Sequence, residues 1–122
     1  MRPVCSDISK AAGIYYGLSV RELRGPCRER RIAHPRQVAM ALCRDMTQAS
    51  LPYIGSKFGG LDHTTVLHGV GAARNREADL RAIALLAVRI RIERAARERH
   101  QVYEAIKRGQ IIPTRHGEVM NG

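Results

Sequence analysis

Aromatic residues are scarce in this chain: there is no tryptophan, one phenylalanine, and 4% aromatics over 122 residues. That argues against a platform for single-stranded bases, which would need rings to stack them on. Cysteine is scarce as well. Cys5, Cys27 and Cys43 are odd in number, lack C-x-x-C spacing and follow no signal-like apolar segment, so a disulfide scaffold or zinc finger is not expected and a reducing compartment is. No apolar run approaches the ~20 residues of a membrane span. The nearest, "AIALLAVRIRI", is too short and carries two arginines, which points to a cytoplasmic chain with no membrane partner. Also missing is the phosphate loop G-x-x-x-x-G-K followed by Ser or Thr, so ATP hydrolysis by that route and a nucleotide partner are not expected. No metal or other cofactor is expected either.

What is present is apolar and basic. An apolar share of 44% supports one modest core of Leu, Ile, Val, Ala and Met, which suits small packed helices. Lys and Arg outnumber Asp and Glu by 21 to 11, a formal charge of +10. Such a charge attracts polyanions over about one Debye length, roughly 8 Å at physiological salt. Lysine stands only at positions 10, 57 and 107, so the excess is arginine, whose fork matches phosphate and guanine.

Along the chain, helix signals recur. Ser6 or Asp7 caps a helix from Ile8 to Tyr16 that Gly17 closes. "SVRE" is a capping box, Ser19 with Glu22, opening a second short helix. Gly25 to Ala33, "GPCRERRIA", forms a basic arm with Arg28, Arg30 and Arg31, and Arg24 just upstream. Pro35 fits the first turn of a third helix whose apolar positions are Val38, Leu42, Cys43 and Met46. Ser50 caps a fourth, with Pro52 in its first turn and Leu51, Ile54 and Phe58 turned inward. After "GGL" comes a fifth, with Val66, Leu67 and Val70 on its buried side. The two helices joined by a glycine turn form a helix-turn-helix.

Residues 76 to 108 contain no Pro or Gly and read as one long helix ending at Gly109. Leu80, Ile83, Leu86, Ala87 and Ile90 should pack on the domain or on a partner, so a homodimer or protein partner through residues 80–92 is a second reading. The expected organisation is therefore a domain over 1–75, a helix over 76–108 and an unstructured tail over 109–122.

The chemistry concentrates in "GGLDHTTVLHG", residues 59 to 69. A helix beginning near Asp62 displays Asp62, His63, Thr64 and Thr65 on its first turn, beside unsatisfied N–H groups and a positive dipole end. In a helix-turn-helix that turn meets the base edges of the major groove. A carboxylate accepts from cytosine N4, and a threonine methyl touches the thymine methyl. An enzyme or metal site fits poorly: His63 and His68 diverge by roughly 140°, whereas zinc helices place ligands at i and i+4. His68 is expected to be partly buried.

The run "RRIAHPRQVAMALCRDMTQASLPYIGSKFGGLDHTTVLHG" resembles the C-terminal DNA-binding domain (domain IV) of the bacterial replication initiator family DnaA, with a looser likeness extending from about Ile8 to Arg74. The resemblance implies an all-α domain with a Trp-repressor-like helix-turn-helix that binds short A·T-rich duplex boxes, here without the ATPase module. By position it implies that Asp62, His63, Thr64 and Thr65 read the major groove and that Arg28 enters the adjacent minor groove. It places Arg36, Gln37, Arg44, Leu51, Pro52 and Lys57 toward the phosphates. One departure is Leu61, where the family usually carries arginine. The expectation is a sequence-specific double-stranded DNA-binding protein of the nucleoid, acting in transcription or replication. A nonspecific nucleoid protein or an adaptor working through the C-terminal helix are the alternatives.

Overall fold

The computed structural model describes residues 4–113 and 119–121. Six helices follow one another: α1 (Cys5–Tyr16), α2 (Val20–Leu23), α3 (Arg30–Met46), α4 (Leu51–Lys57), α5 (His63–Asn75) and α6 (Glu77–Lys107). The chain divides into two compact units, Met1–Ile90 and Arg91–Gly122. The division falls inside α6, later than the boundary at 75, because Ala82, Ile83, Leu86 and Ile90 join the core of the first unit.

That core is built around α3, which is buried without interruption from Val38 to Cys43. Ile8 of α1, Leu23 of α2, Ile54 of α4, Val66 of α5 and Leu86 of α6 are fully enclosed around it, as is Phe58 just after α4. Burying one such side chain contributes about 1.5–3 kcal/mol. The lack of aromatics is met by close packing of aliphatic chains about one ring.

Local signals account for most helix ends. Ser19 Oγ accepts the Glu22 N–H at 3.0 Å while its own N–H donates to Glu22 Oε1 at 3.2 Å, completing the capping box. Ser50 Oγ accepts the Tyr53 N–H, and Gly17 closes α1 at φ 69°. Two starts lie earlier than the sequence reading put them. α1 begins at Cys5, because burial of Cys5 draws a further turn onto the core and leaves Ser6 and Asp7 inside the helix. α3 begins at Arg30, not at Pro35, because the Glu29 carbonyl accepts from both Ile32 and Ala33, and Ile32 is buried. Pro35 sits inside α3 and forgoes one backbone bond there. The arm is correspondingly shorter, four residues from Pro26 to Glu29.

In α6 the first-unit part carries one correction: Leu80 is 49% exposed, as are Leu85 and Val88 to a similar degree, so the buried stripe is Ala82, Ile83, Leu86 and Ile90. In the second unit α6 runs on to Lys107, and Gly109 follows at φ 74°. Ile111–Pro113 and Val119–Asn121 pair as antiparallel strands. The residues between those strands, within the tail expected to be unstructured, lie outside the described residues. None of the helices among the described residues is long and apolar enough to cross a membrane.

Candidate nucleic-acid interface

The turn between α4 and α5 is compact because the chain folds back on α4. Leu61 N–H donates to the Gly55 carbonyl at 3.0 Å, and a Cβ on Gly55 would stand 1.9 Å from the Leu61 oxygen. Only glycine leaves room for that approach. Gly59 and Gly60 then take φ 87° and 74°, which L side chains rarely adopt. The turn delivers Asp62 to the N-cap of α5, where its Oδ1 accepts the Thr65 N–H at 2.8 Å. That bond, foremost, holds the Asp62 carboxyl below the usual carboxylate range.

Asp62, His63, Thr64 and Thr65 are all exposed, on the first turn of a helix whose inner side is Val66, Gly69, Val70 and Ala73. The sequence reading of α5 needs two corrections. Leu67 is 57% exposed, and His68 is exposed beside it. The reason is spacing: an inner row at 66, 69, 70 and 73 turns 67 and 68 outward with Thr64. That row was visible in the sequence as Val-x-x-Gly-Val-x-x-Ala, once glycine is counted as an inward residue.

The arm is held differently. Arg36 lies on α3 with only 7% of its surface exposed, and its guanidinium donates to three main-chain oxygens: Nε to Leu23 at 2.7 Å, Nη1 to Cys27 at 2.7 Å and Nη2 to Glu22 at 3.4 Å. Burial lowers its pKa from the usual arginine value. The placement of Arg36 toward phosphate is corrected accordingly: its side chain straps the α2–arm segment to α3. Arg24 reinforces this, donating from Nε to the Lys57 carbonyl at 2.5 Å. A Cβ on Gly59 would come 3.3 Å from the Arg24 carbonyl, so the turn and the base of the arm abut. Neither the Arg24 bond to Lys57 nor the strap was foreseen, since an arginine bound to carbonyls is indistinguishable by composition from one facing solvent. Arg28, at the arm, is exposed.

The other residues placed toward phosphate fall in two settings. Arg44 and Pro52 are exposed; Gln37, Leu51 and Lys57 are half-buried. Gln37 Oε1 accepts from Arg76 Nη2 at 2.6 Å, tying α3 to the α5–α6 junction, where Arg76 also pairs with Asp79. Leu51 packs against the core. Lys57 reaches over the Tyr53 ring, 5.3 Å from its centroid. With Arg21, Arg24, Gly59 and Gly60 it lines an open groove of about 670 Å³.

Residues 5–72, more than half of the chain, match the family described as the bacterial dnaA protein helix-turn-helix. The chain belongs to that family. Over 64 residues it is 52% identical to the chromosomal replication initiator protein DnaA of Ruegeria pomeroyi, covering 52% of this chain and 14% of that protein. Over 73 residues it is 51% identical to the initiators of Neisseria meningitidis and Neisseria gonorrhoeae, covering 59% of this chain and again 14% of each. The chain thus matches about one seventh of these relatives' length. The DnaA helix-turn-helix is a DNA-binding domain, not a catalytic one. At Leu61, where the sequence departs from the family's usual arginine, the side chain is half-buried and packs against the core. The cations near the turn come instead from Arg21, Arg24 and Lys57.

Proposed function

We propose that this protein binds double-stranded DNA sequence-specifically at sites like the boxes of initiator DnaA, and that it regulates transcription or modulates replication initiation by occupying them. The observation that carries the reading is the exposed first turn of α5, Asp62 to Thr65, presented by a glycine turn against which the base of the Arg28 arm is packed. α5 enters the major groove by its N-terminus, and Thr64, Thr65 and the outward Leu67 offer methyl groups to thymine. Arg28 enters the neighbouring minor groove, where a narrow A·T tract concentrates negative potential. Arg44, Pro52 and Lys57 border the phosphates, with Gln37 and Leu51 behind them.

The test is a binding titration on an initiator box and its scrambled version at two salt concentrations. Preference for the box that survives the higher salt supports base readout, because phosphate contacts weaken with salt irrespective of sequence. Equal affinities would reduce the protein to a nonspecific nucleoid component. Replacing His63 or Thr65 should narrow the gap by about 1–3 kcal/mol per position.

A second reading concerns residues 80–92, through which a second copy or another protein would dock. It is favoured by the exposure of Leu80, Leu85 and Val88 on α6. Sedimentation of the full chain tests it, a single species at monomer mass over a wide concentration range arguing against the dimer.

A further inference from the structure

Two of the three cysteines, neither of which the DNA-binding reading uses, are neighbours inside the first unit. Cys5, in the first turn of α1, and Cys43, in α3, are both free and buried, at 7% and 0% exposure, as neighbours in the same core cluster. Cys5 also opens onto a cavity of about 260 Å³ that Ser9, Arg24 and Lys57 help to line, whereas Cys43 does not border it. The two sulfurs therefore stand in unequal positions: one borders a cavity that Arg24 and Lys57 also line, and the other does not.

We propose that Cys5 and Cys43 form a two-cysteine redox site, in which Cys5 reacts with a small hydroperoxide entering the cavity and Cys43 resolves the product into a disulfide joining α1 to α3. The nucleophile in such chemistry is the thiolate. Cys5 is lowered to about 7, chiefly by the neighbouring Cys43 thiol, with smaller help from Thr47, Lys57 and Arg24 against the opposing effect of burial. Cys43 is pushed well above the usual thiol range by the same contact and by burial, so the proton of the pair resides on Cys43.

The steps balance. The Cys5 thiolate attacks one peroxide oxygen, the O–O bond breaks, and hydroxide leaves, giving Cys5 sulfenic acid. The Cys43 sulfur then attacks the Cys5 sulfur, its proton joins the departing hydroxyl as water, and an S–S bond forms. Two electrons pass from the two sulfurs to the peroxide. A cavity of this size readily admits hydrogen peroxide, since a water molecule occupies about 30 Å³ of the liquid. A dithiol reductant reverses the step by thiol–disulfide exchange.

The experiment treats the full chain with stoichiometric hydrogen peroxide and maps its peptides by mass spectrometry. The expected result is a 5–43 disulfide, removed by dithiothreitol and lost in Cys5→Ser. Oxidation confined to Cys27, or a link between Cys27 and either other cysteine, would overturn the assignment. Cys43→Ala should leave a Cys5 sulfenic acid that dimedone traps. Should that variant not fold, alkylation of the wild-type protein decides: Cys5 is expected to react at neutral pH at least about tenfold faster than Cys43, in keeping with its thiolate fraction. Equal rates at the two sites would refute the division of roles.

Discussion

The two parts of the interface, the head of α5 and the arm before α3, are positioned by opposite means. The head of α5 is fixed by its own backbone: three glycines shape the turn, and Asp62 bonds to the helix it begins. The arm has no regular structure from Pro26 to Glu29 and is held from outside, by the Arg36 guanidinium on carbonyls before and within it and by Arg24 on Lys57. Local geometry suffices where, on the proposed reading, the side chains stand in a set row along a groove. A strap suffices where, on the proposed reading, one cation reaches across to a second groove. The two parts should therefore fail separately, under different substitutions and different conditions.

The largest effect is expected at Gly55→Ala, whose Cβ would lie on the Leu61 carbonyl. A backbone oxygen cannot move aside as a flexible side chain can, so the turn must open. Destabilisation of about 3 kcal/mol or more is expected in urea denaturation, with loss of binding to every duplex. Next is Arg36→Ala, which leaves the Leu23 and Cys27 carbonyls unpaired and should cost about 2–3 kcal/mol. The discriminating measurement is the salt dependence of binding. A phosphate contact would flatten the slope by about 1 with stability intact, whereas a strap lowers stability and leaves the slope almost unchanged. Arg36→Lys should rescue little, because one ammonium cannot reproduce the fork.

Smaller effects sharpen the contrast within the turn. Gly59→Ala combines a positive φ with a close approach to the Arg24 carbonyl and should cost about 1–2 kcal/mol, disturbing turn and arm together. Gly60→Ala has the same φ penalty but open space around its Cβ, and should cost about 1 kcal/mol without moving the arm. The smallest effect is in acid. The Asp62 and Glu22 carboxyls both sit below their ordinary range, so the stability they contribute is present above about pH 4 and is lost as pH falls through their folded values. Amide exchange at Thr65 and Ser19, whose N–H groups donate to these carboxylates, should accelerate there. The Arg36 bonds, made by a protonated guanidinium to neutral carbonyls, should persist.

The helices, the caps of α2, α4 and α5 and the polar turn were legible because each is written in neighbours: Ser19 with Glu22, Ser50 before Leu51-Pro52, Asp62 after two glycines. Gly109 after a run without Gly or Pro gave the end of α6 in the same way. What was illegible depended on distant partners. Pro35 looked like a helix start because a proline's preference for the first turn is a local rule, and the buried Ile32 that extends α3 backward is a tertiary fact. Leu67 looked like core because it is apolar, while its direction follows from Gly69, a residue that carries no hydropathy signal. Arg36 looked like a surface cation because nothing near it in sequence announces the carbonyls of residues 22 to 27.

The Arg36 strap grips oxygens that every amino acid possesses. The lettering of the arm can therefore drift without loosening its anchor: Arg28 or Glu29 can be exchanged while the tether stays as it is, and on the proposed reading the taste for one narrow-groove sequence over another goes with them. On that reading, the arm is where target preference can be retuned at least expense to folding, provided that position 36 is left untouched.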